Sequence, residues 1–212
     1  MIETEEQARA FVAERCSPAS FVSLDVFVSE LLVEAEHQNL ISRSTIDHIW
    51  QRHIADSAQL LDHVPRGTEG VWLDLGTGAG FPGIITAMMR PEIPHVLVES
   101  RKRRVAWLEG VIERASLENC SVMGSRLQLV EPFDAAVISA RAFAPLPDLI
   151  SLSARFSTDR TIWLLPKGRS AEQERDALDS PQRKMFHVKQ SLTSRDAAIL
   201  VGKGRPKVGR RT

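Results

Sequence analysis

The stretch Leu73-Asp74-Leu75-Gly76-Thr77-Gly78-Ala79-Gly80-Phe81 constrains this chain more than any other, because it sets a strand-end carboxylate beside three alternating glycines. Val71 to Leu75 reads as a buried strand, and Pro82 suits the first position of a helix continuing through Ile84, Ile85 and Met88. Glycine permits positive φ and carries no Cβ, so the loop between strand and helix lets a ligand come close to the backbone. His95-Val96-Leu97-Val98 is a second short apolar strand, and it ends in Glu99, 25 positions after Asp74. A carboxylate at that offset can accept from both hydroxyls of a ribose. Loop and carboxylate together predict a ligand that contains a nucleoside.

Two kinds of nucleoside fit. Gly78-Ala79-Gly80-Phe81-Pro82-Gly83 matches the dinucleotide fingerprint GxGxxG, whose glycine turn and helix N-terminus receive a pyrophosphate. A carboxylate just upstream, as Asp74 is, works against that anion. S-adenosylmethionine carries a sulfonium and an ammonium group, which an acidic strand end beside an uncharged loop suits. The residues favour this methyl donor, with Asp74, Gly78, Gly80 and Glu99 as its contacts. An NAD(P)-dependent oxidoreductase is the competing class, although the chain contains no tyrosine and hence no Tyr-x-x-x-Lys pair. A third class is a non-catalytic RNA-binding assembly protein with the same fold. In a purely structural reading Asp74 caps the turn and the glycines only tighten it.

At 212 residues and 43% hydrophobic content, the chain can bury one substantial core and a small second layer of helices. No apolar run approaches the ~20 residues that cross a bilayer, and the acidic start from Met1 to Glu6 is unlike a secretory signal, so a cytoplasmic protein without a membrane partner is expected. Cys16 and Cys120 lie far apart with no CxxC spacing and no neighbouring histidine cluster, which argues against a disulfide or a metal site. Zero net charge conceals an asymmetry: residues 1–70 carry 12 acidic and 5 basic side chains, residues 71–212 carry 15 and 22. The half with the glycine loop is the cationic half. Five of its basic residues fall in Gly202 to Thr212, which holds no acid and reads as a mobile tail that follows phosphate backbones or simply solubilises the terminus. Arg101-Lys102-Arg103-Arg104 opens a helix after Glu99 and reads first as a solvated face, second as an RNA patch.

Helical spacing marks Glu5 to Arg15 and Phe21 to Glu36, and Thr45 to Leu61 reads as a third, interrupted helical region. After Pro65 and Gly67 the pattern changes to short β-rich runs at Val71–Leu75, His95–Val98, Ser121–Met123, Ala135–Ser139 and Thr161–Leu165, with helices between most of them. Such alternation predicts a mostly parallel sheet covered on both faces. Lys184–Lys189 and Ala197–Gly202 follow as a hairpin at one edge.

Missing motifs narrow the chemistry. Methylation of an exocyclic base amine uses an Asn/Asp-Pro-Pro-aromatic motif after the fourth strand, where this chain reads Ile138-Ser139-Ala140-Arg141-Ala142-Phe143. Carbon methylation of a pyrimidine needs a cysteine nucleophile on a loop near the donor, and Cys120 instead opens a strand. What remains is an acceptor that is already nucleophilic: guanine N7, a thiol or a deprotonated oxygen. Guanine N7 has an in-plane lone pair and no proton to lose, so its methylation needs alignment and water exclusion rather than a base. Arg141 and Lys167 follow strands four and five, at the sheet edge where open α/β folds bind ligands. Arginine commonly takes guanine O6 and N7 together, which here would mask the target atom, so Arg141 is expected on O6, a phosphate or the cofactor.

Taken in series, Asn39-Leu40, Arg52-His53-Ile54-Ala55-Asp56-Ser57, Leu73 to Gly83, Gly124-Ser125-Arg126, Ser139-Ala140-Arg141-Ala142-Phe143-Ala144 and Lys167-Gly168 closely resemble the bacterial small-subunit rRNA guanine-N7 methyltransferase family, RsmG or GidB. The resemblance runs over about residues 20 to 202 in the same order. It implies a Rossmann-like class I methyltransferase fold in which a mostly parallel seven-stranded sheet has an antiparallel edge hairpin and an N-terminal helical extension. It also implies S-adenosylmethionine as cofactor and 16S rRNA or the small ribosomal subunit as partner, with methyl transfer to guanine N7 at position 527. Gly76 and Phe81, Leu127 and Gln128, and Arg141 match family cofactor contacts, while Arg126 and Lys167 join Arg141 as candidate catalytic positions and Arg52 and His53 match recurrent polar ones. Residues 1–66 then form the helical extension, 67–202 the methyltransferase domain and 203–212 the basic tail, in a protein expected to act as a monomer. The chain departs from the family pattern at Glu34, where a tryptophan is common, and at Ala140, which stands between Ser139 and Arg141.

Overall fold

The structure is a computed structural model and describes residues 1–207. Seven strands make one sheet: β1 (Val71–Leu75), β2 (His95–Val98), β3 (Cys120–Met123), β4 (Ala135–Ala140), β5 (Ser157–Lys167), β6 (Phe186–Gln190) and β7 (Ala198–Lys203), in the order β3-β2-β1-β4-β5-β7-β6. The first five pair in parallel, and β7 runs antiparallel to both β5 and β6. Parallel pairing brings the C-terminal ends of β1 to β5 to one edge, where Gly76, Glu99, Gly124, Arg141 and Gly168 begin their loops. That edge is where ligands bind in open α/β sheets.

Helices α1 (Glu5–Ala13) and α2 (Pro18–Glu34) start on capping hydroxyls, Thr4 accepting from Gln7 N and Ser17 from Ser20 N. The region from 43 to 63 is helical but irregular: a 3₁₀ segment (Arg43–His48), a π-helical turn (Trp50–Ala55), a single α-turn α3 (Asp56–Ala58) and a second 3₁₀ segment (Gln59–His63). The carboxylate of Glu5, far away in sequence, accepts from the amides of Trp50 and Gln51 at 2.9 and 2.8 Å and so caps the π turn from outside. Helices α4 (Gly83–Met89), α5 (Lys102–Arg114), α6 (Leu146–Ser153), α7 (Ala171–Asp176) and α8 (Ser180–Met185) complete the layers. The link from β3 to β4 is only a 3₁₀ turn (Leu127–Leu129), and Lys184 and Met185, expected in an edge strand, form the last turn of α8 instead.

One apolar cluster joins the extension to the sheet: Leu24, Phe27, Leu31, Ile54 and Ala58 pack with Phe81, Ile84, Ile85, Leu97 and Trp107. Ile2 N donates to Leu192 O, and Gln59 Oε1 accepts from Leu192 N, so the extension also grips the β6–β7 connection. Lys203, expected to open the basic tail, is the last residue of β7; Gly204 bonds to Thr161 and Trp163, and residues 208–212 lie outside the described ones. Arg101 to Arg104 do not form a purely solvated face, because Arg103 and Arg104 donate to the carbonyls of His37 and Asn39 and clamp the segment after α2 onto α5. Glu34, at the family's tryptophan position, accepts from Gln38 Nε2 at 2.7 Å and stays on its own helix.

Candidate active site

Asp74 organises the glycine turn from the inside. It is fully buried, and β1–β4 register places it opposite Ser139. Its Oδ1 accepts from Ser139 Oγ at 2.6 Å, and its Oδ2 accepts from Thr77 Oγ1 at 2.8 Å and Gly83 N at 3.1 Å. Ser139 in turn accepts from Trp72 Nε1. Burial pushes the Asp74 carboxyl up to about 6, against the pull of those donors and of the Arg141 charge. The carboxylate therefore shapes the turn and places negative charge beneath it, and it presents no oxygen to solvent. Gly83 shows how close this packing is: a Cβ there would stand 2.3 Å from Leu97 Cδ2 and 2.8 Å from Asp74 Oδ2.

The turn itself is held by backbone bonds from Gly76 N and Thr77 N to Val98 O and by Trp107 Nε1, which donates to Ala79 O. Gly76 and Gly78 have φ of +66° and +64°, the left-handed region that disfavours any other residue. A Cβ at Gly76 would also lie 2.7 Å from the Phe143 ring, so the loop after β4 seats directly on the glycine turn. Glu99 is 5% exposed; its Oε1 accepts from Ser100 N and Arg101 N, and its Oε2 from Gly78 N at 3.1 Å. A carboxylate offers about four acceptor positions, so Oε2 retains one for a ligand hydroxyl, with Arg104 Nη1 standing 3.8 Å away. Leu127 and Gln128 lie in the turn after β3, Leu127 buried with its carbonyl accepting from Arg155, Gln128 exposed. Gly80, at φ +119°, lets the chain pass Ile84 and Phe27.

The cationic residues separate into two places. Arg141 and Lys167 line one cleft of about 450 Å³ with Arg52, Asp56 and Glu174. Arg126 is outside it, exposed ahead of the turn after β3. Ala140 extends β4 opposite Leu75, and Ala142 takes φ +53°, which turns the chain sharply after Arg141. The Arg141 guanidinium lies over Phe81 at 4.8 Å from the ring centroid and 3.7 Å from Asp56 Oδ2; burial lowers its pKa, with Asp56 and Asp74 opposing. Lys167 is ion-paired to Glu174 at 2.7 Å. Phe81, on the glycine turn, also stacks on His53 at 4.8 Å. His53 Nε2 contacts Thr45 Oγ1, Nδ1 has no partner among the described residues, and burial, helped by Arg141 and Arg52, pushes its pKa down to about 3. His53 is thus a neutral buried ring rather than a proton carrier. Cys120 is equally inert as a nucleophile, its thiol pushed up to about 12 by burial.

Reasoning from sequence missed the structural partners of these groups. Ser139, Trp107, Phe143 and Asp56 act from 25 or more positions away in the chain: Ser139 meets Asp74 through β1–β4 register, Phe143 comes from the loop after β4, Trp107 from α5 and Asp56 from α3, and of the four only Trp107 lies outside the segments that carry the family resemblance. A second cavity of about 850 Å³ lies between the end of α2 and Arg103, and none of the expected cofactor contacts lines it.

Comparison with known proteins gives the same direction as the geometry. Residues 21–198 match the family model described as GidB, rRNA small subunit methyltransferase G. The chain is 60% identical over 207 residues to the ribosomal RNA small subunit methyltransferase G of Erythrobacter litoralis, covering 98% of this chain and 100% of the relative. It is 48% identical to the protein of the same name from Sphingopyxis alaskensis, covering 97% and 88%. Among solved structures, a SAM-dependent methyltransferase from Aquifex aeolicus superposes with a TM-score of 0.56 at 14% identity, over 82% of this chain and 97% of that one, which establishes the class I methyltransferase fold. With a matched segment spanning most of the sequence and a relative of this identity over its full length, the chain belongs to the rRNA small subunit methyltransferase G family.

Proposed function

We propose that this protein, acting as a cytoplasmic monomer, methylates N7 of a guanine in 16S rRNA, position 527 by its family resemblance, with S-adenosylmethionine as donor. The observation that carries the reading is the meeting of two features at Phe81. This ring belongs to the glycine turn, and Arg141, at the mouth of the cationic cleft, lies on it. An acceptor in the cleft is therefore held beside whatever the turn holds.

The turn fits the proposed donor. The remaining acceptor position on Glu99 Oε2 suits a ribose hydroxyl, and the left-handed glycines keep side chains off the turn. When bound, S-adenosylmethionine supplies an electrophilic methyl group on positively charged sulfur. Asp74 contributes negative charge from beneath the turn, and Leu127 and Gln128 stand on the neighbouring loop for the adenine. On the acceptor side, Arg52 and Arg141 attract the RNA and orient the base, and Lys167 holds Glu174 at the rim. Guanine N7 gives up no proton, so the work of these residues is alignment and exclusion of water. Arg126, exposed and outside the cleft, meets a phosphate of the flanking RNA in this reading.

Calorimetric titration tests the donor site. S-adenosylmethionine should bind the wild-type protein, NADH should not, and Gly78→Val should abolish binding because a branched residue is strained at φ +64°. Binding of NADH in place of S-adenosylmethionine would overturn the reading.

A further inference from the structure

The cleft contains carboxylates as well as cations, and their hydrogen bonds are not equivalent. Glu174 is held through both oxygens: Oε2 takes Lys167 Nζ at 2.7 Å and Oε1 takes Ser170 Oγ at 3.0 Å. Asp56 is held by one oxygen only. Its Oδ1 accepts from Gln59 Nε2 at 2.8 Å and Thr193 Oγ1 at 2.7 Å, while Oδ2 has only the loose 3.7 Å approach of Arg141 Nη1. The carboxylate is thereby fixed in orientation with an open acceptor in the cleft. Gln59 is itself locked by Leu192 N and Ser191 Oγ, so the aim of Asp56 is set by the β6–β7 connection.

Resting on the guanine-N7 reading, we infer that Asp56 is the residue that selects guanine, its Oδ2 accepting hydrogen bonds from the N1–H and N2 amino groups. The chemistry of the base demands such a group. A base methylated at N7 cannot be read through N7, and its opposite edge is where guanine and adenine differ most: guanine offers donors at N1 and N2, adenine an acceptor at N1. A fixed carboxylate attracts the first and repels the second. The adjacent Arg141 complements O6, which in adenine is replaced by an amino donor. Reading this edge requires the guanine to be unpaired or extruded from its stack. Asp56 and Arg141 thus form an acceptor–donor pair matched to the N2–N1–O6 face, with N7 left to point at the glycine turn.

The test uses small-subunit rRNA carrying either guanine or inosine at the methylated nucleotide; inosine keeps N7, O6 and N1–H but lacks the N2 amino group. Wild-type kcat/KM should fall on the order of ten-fold with inosine. Asp56→Asn, which keeps an oxygen for Gln59 and Thr193 but turns the free acceptor into a donor, should lose at least as much on guanine and show little further loss with inosine. Its affinity for S-adenosylmethionine should be unchanged. Thr193→Val, which releases one tether on Oδ1, provides a second variant and should shrink the inosine penalty if Asp56→Asn does not fold. Equal wild-type rates on the two bases, or the same inosine penalty in wild type and both variants, overturn the assignment of Asp56 alone. A wild-type enzyme that methylates no guanine in rRNA overturns the parent reading and this inference with it.

Discussion

Asp74 illustrates what one residue's environment does to its role. From sequence it is a carboxylate at a strand end, in reach of a cationic ligand; in the fold it is fully buried and its oxygens are occupied by Ser139, Thr77 and Gly83. The residue type and the glycines were readable along nine consecutive positions, whereas the bond to Ser139 depends on β1–β4 register, which no local pattern encodes. Glu99 differs because two of its three amide partners, Ser100 N and Arg101 N, directly follow it in the chain, and only Gly78 N comes from the glycine turn. Burial sets a measurable property of Asp74. Carbon-detected NMR of the side-chain carboxyl should give a titration midpoint near 6, well above an ordinary aspartate. A midpoint near 4 would show that the donors around it outweigh burial.

At the scale of elements, the alternation of short apolar runs with helices was visible because parallel strands covered on both faces read as continuous hydrophobic segments. The 43–63 region was visible as helical but not as a chain of 3₁₀, π and α turns, because its hydrogen-bond pattern is imposed by distant groups: Glu5 caps Trp50 and Gln51, and Thr193 and Leu192 fix Asp56 and Gln59. A π turn widens the helix and turns successive side chains to new directions, and it is common at functional sites. Here it presents His53 to Phe81 and, with α3, Asp56 to Arg141. Glu5→Ala removes a charged cap with two bonds and should cost roughly 1.5–3 kcal/mol in denaturant unfolding. Methyl transfer should fall further than affinity for S-adenosylmethionine, because the turn carries Arg52 of the acceptor cleft and reaches the glycine loop through the stack of His53 on Phe81. Equal loss of both would place Glu5 in the support of the donor site instead.

The whole molecule couples an acidic extension to a basic sheet, and three buried groups contribute a pH dependence to its stability. His53 and His95 are pushed down to about 3 and about 4, chiefly by burial, so the folded protein keeps them neutral while the unfolded chain protonates them below about 6.5. Their stabilisation is fully present above the unfolded value and is lost as pH falls towards the folded ones. Asp74 acts oppositely: with its carboxyl raised from 3.8 to about 6, the folded state holds the extra proton, and its contribution weakens as pH rises through that window. Between about pH 4 and 6 the unfolded chain binds two histidine protons against one held by folded Asp74, so these groups make stability rise with pH by about 1.4 kcal/mol per unit. His95→Phe, which preserves the stack on Trp72, should flatten that slope in urea unfolding measured across the same range; an unchanged slope would mean His95 titrates normally. Donor and acceptor meet at the edge of the sheet where the glycine turn and the Arg141 cleft come together at Phe81 in the proposed reaction. The most direct test is to incubate the protein with methyl-labelled S-adenosylmethionine and small ribosomal subunits, then digest the 16S rRNA and identify the labelled nucleoside. Label should appear in 7-methylguanosine at a single position and be strongly reduced with Arg141→Ala; label in any other nucleoside, or none with wild-type protein that binds the donor, would contradict the guanine-N7 assignment.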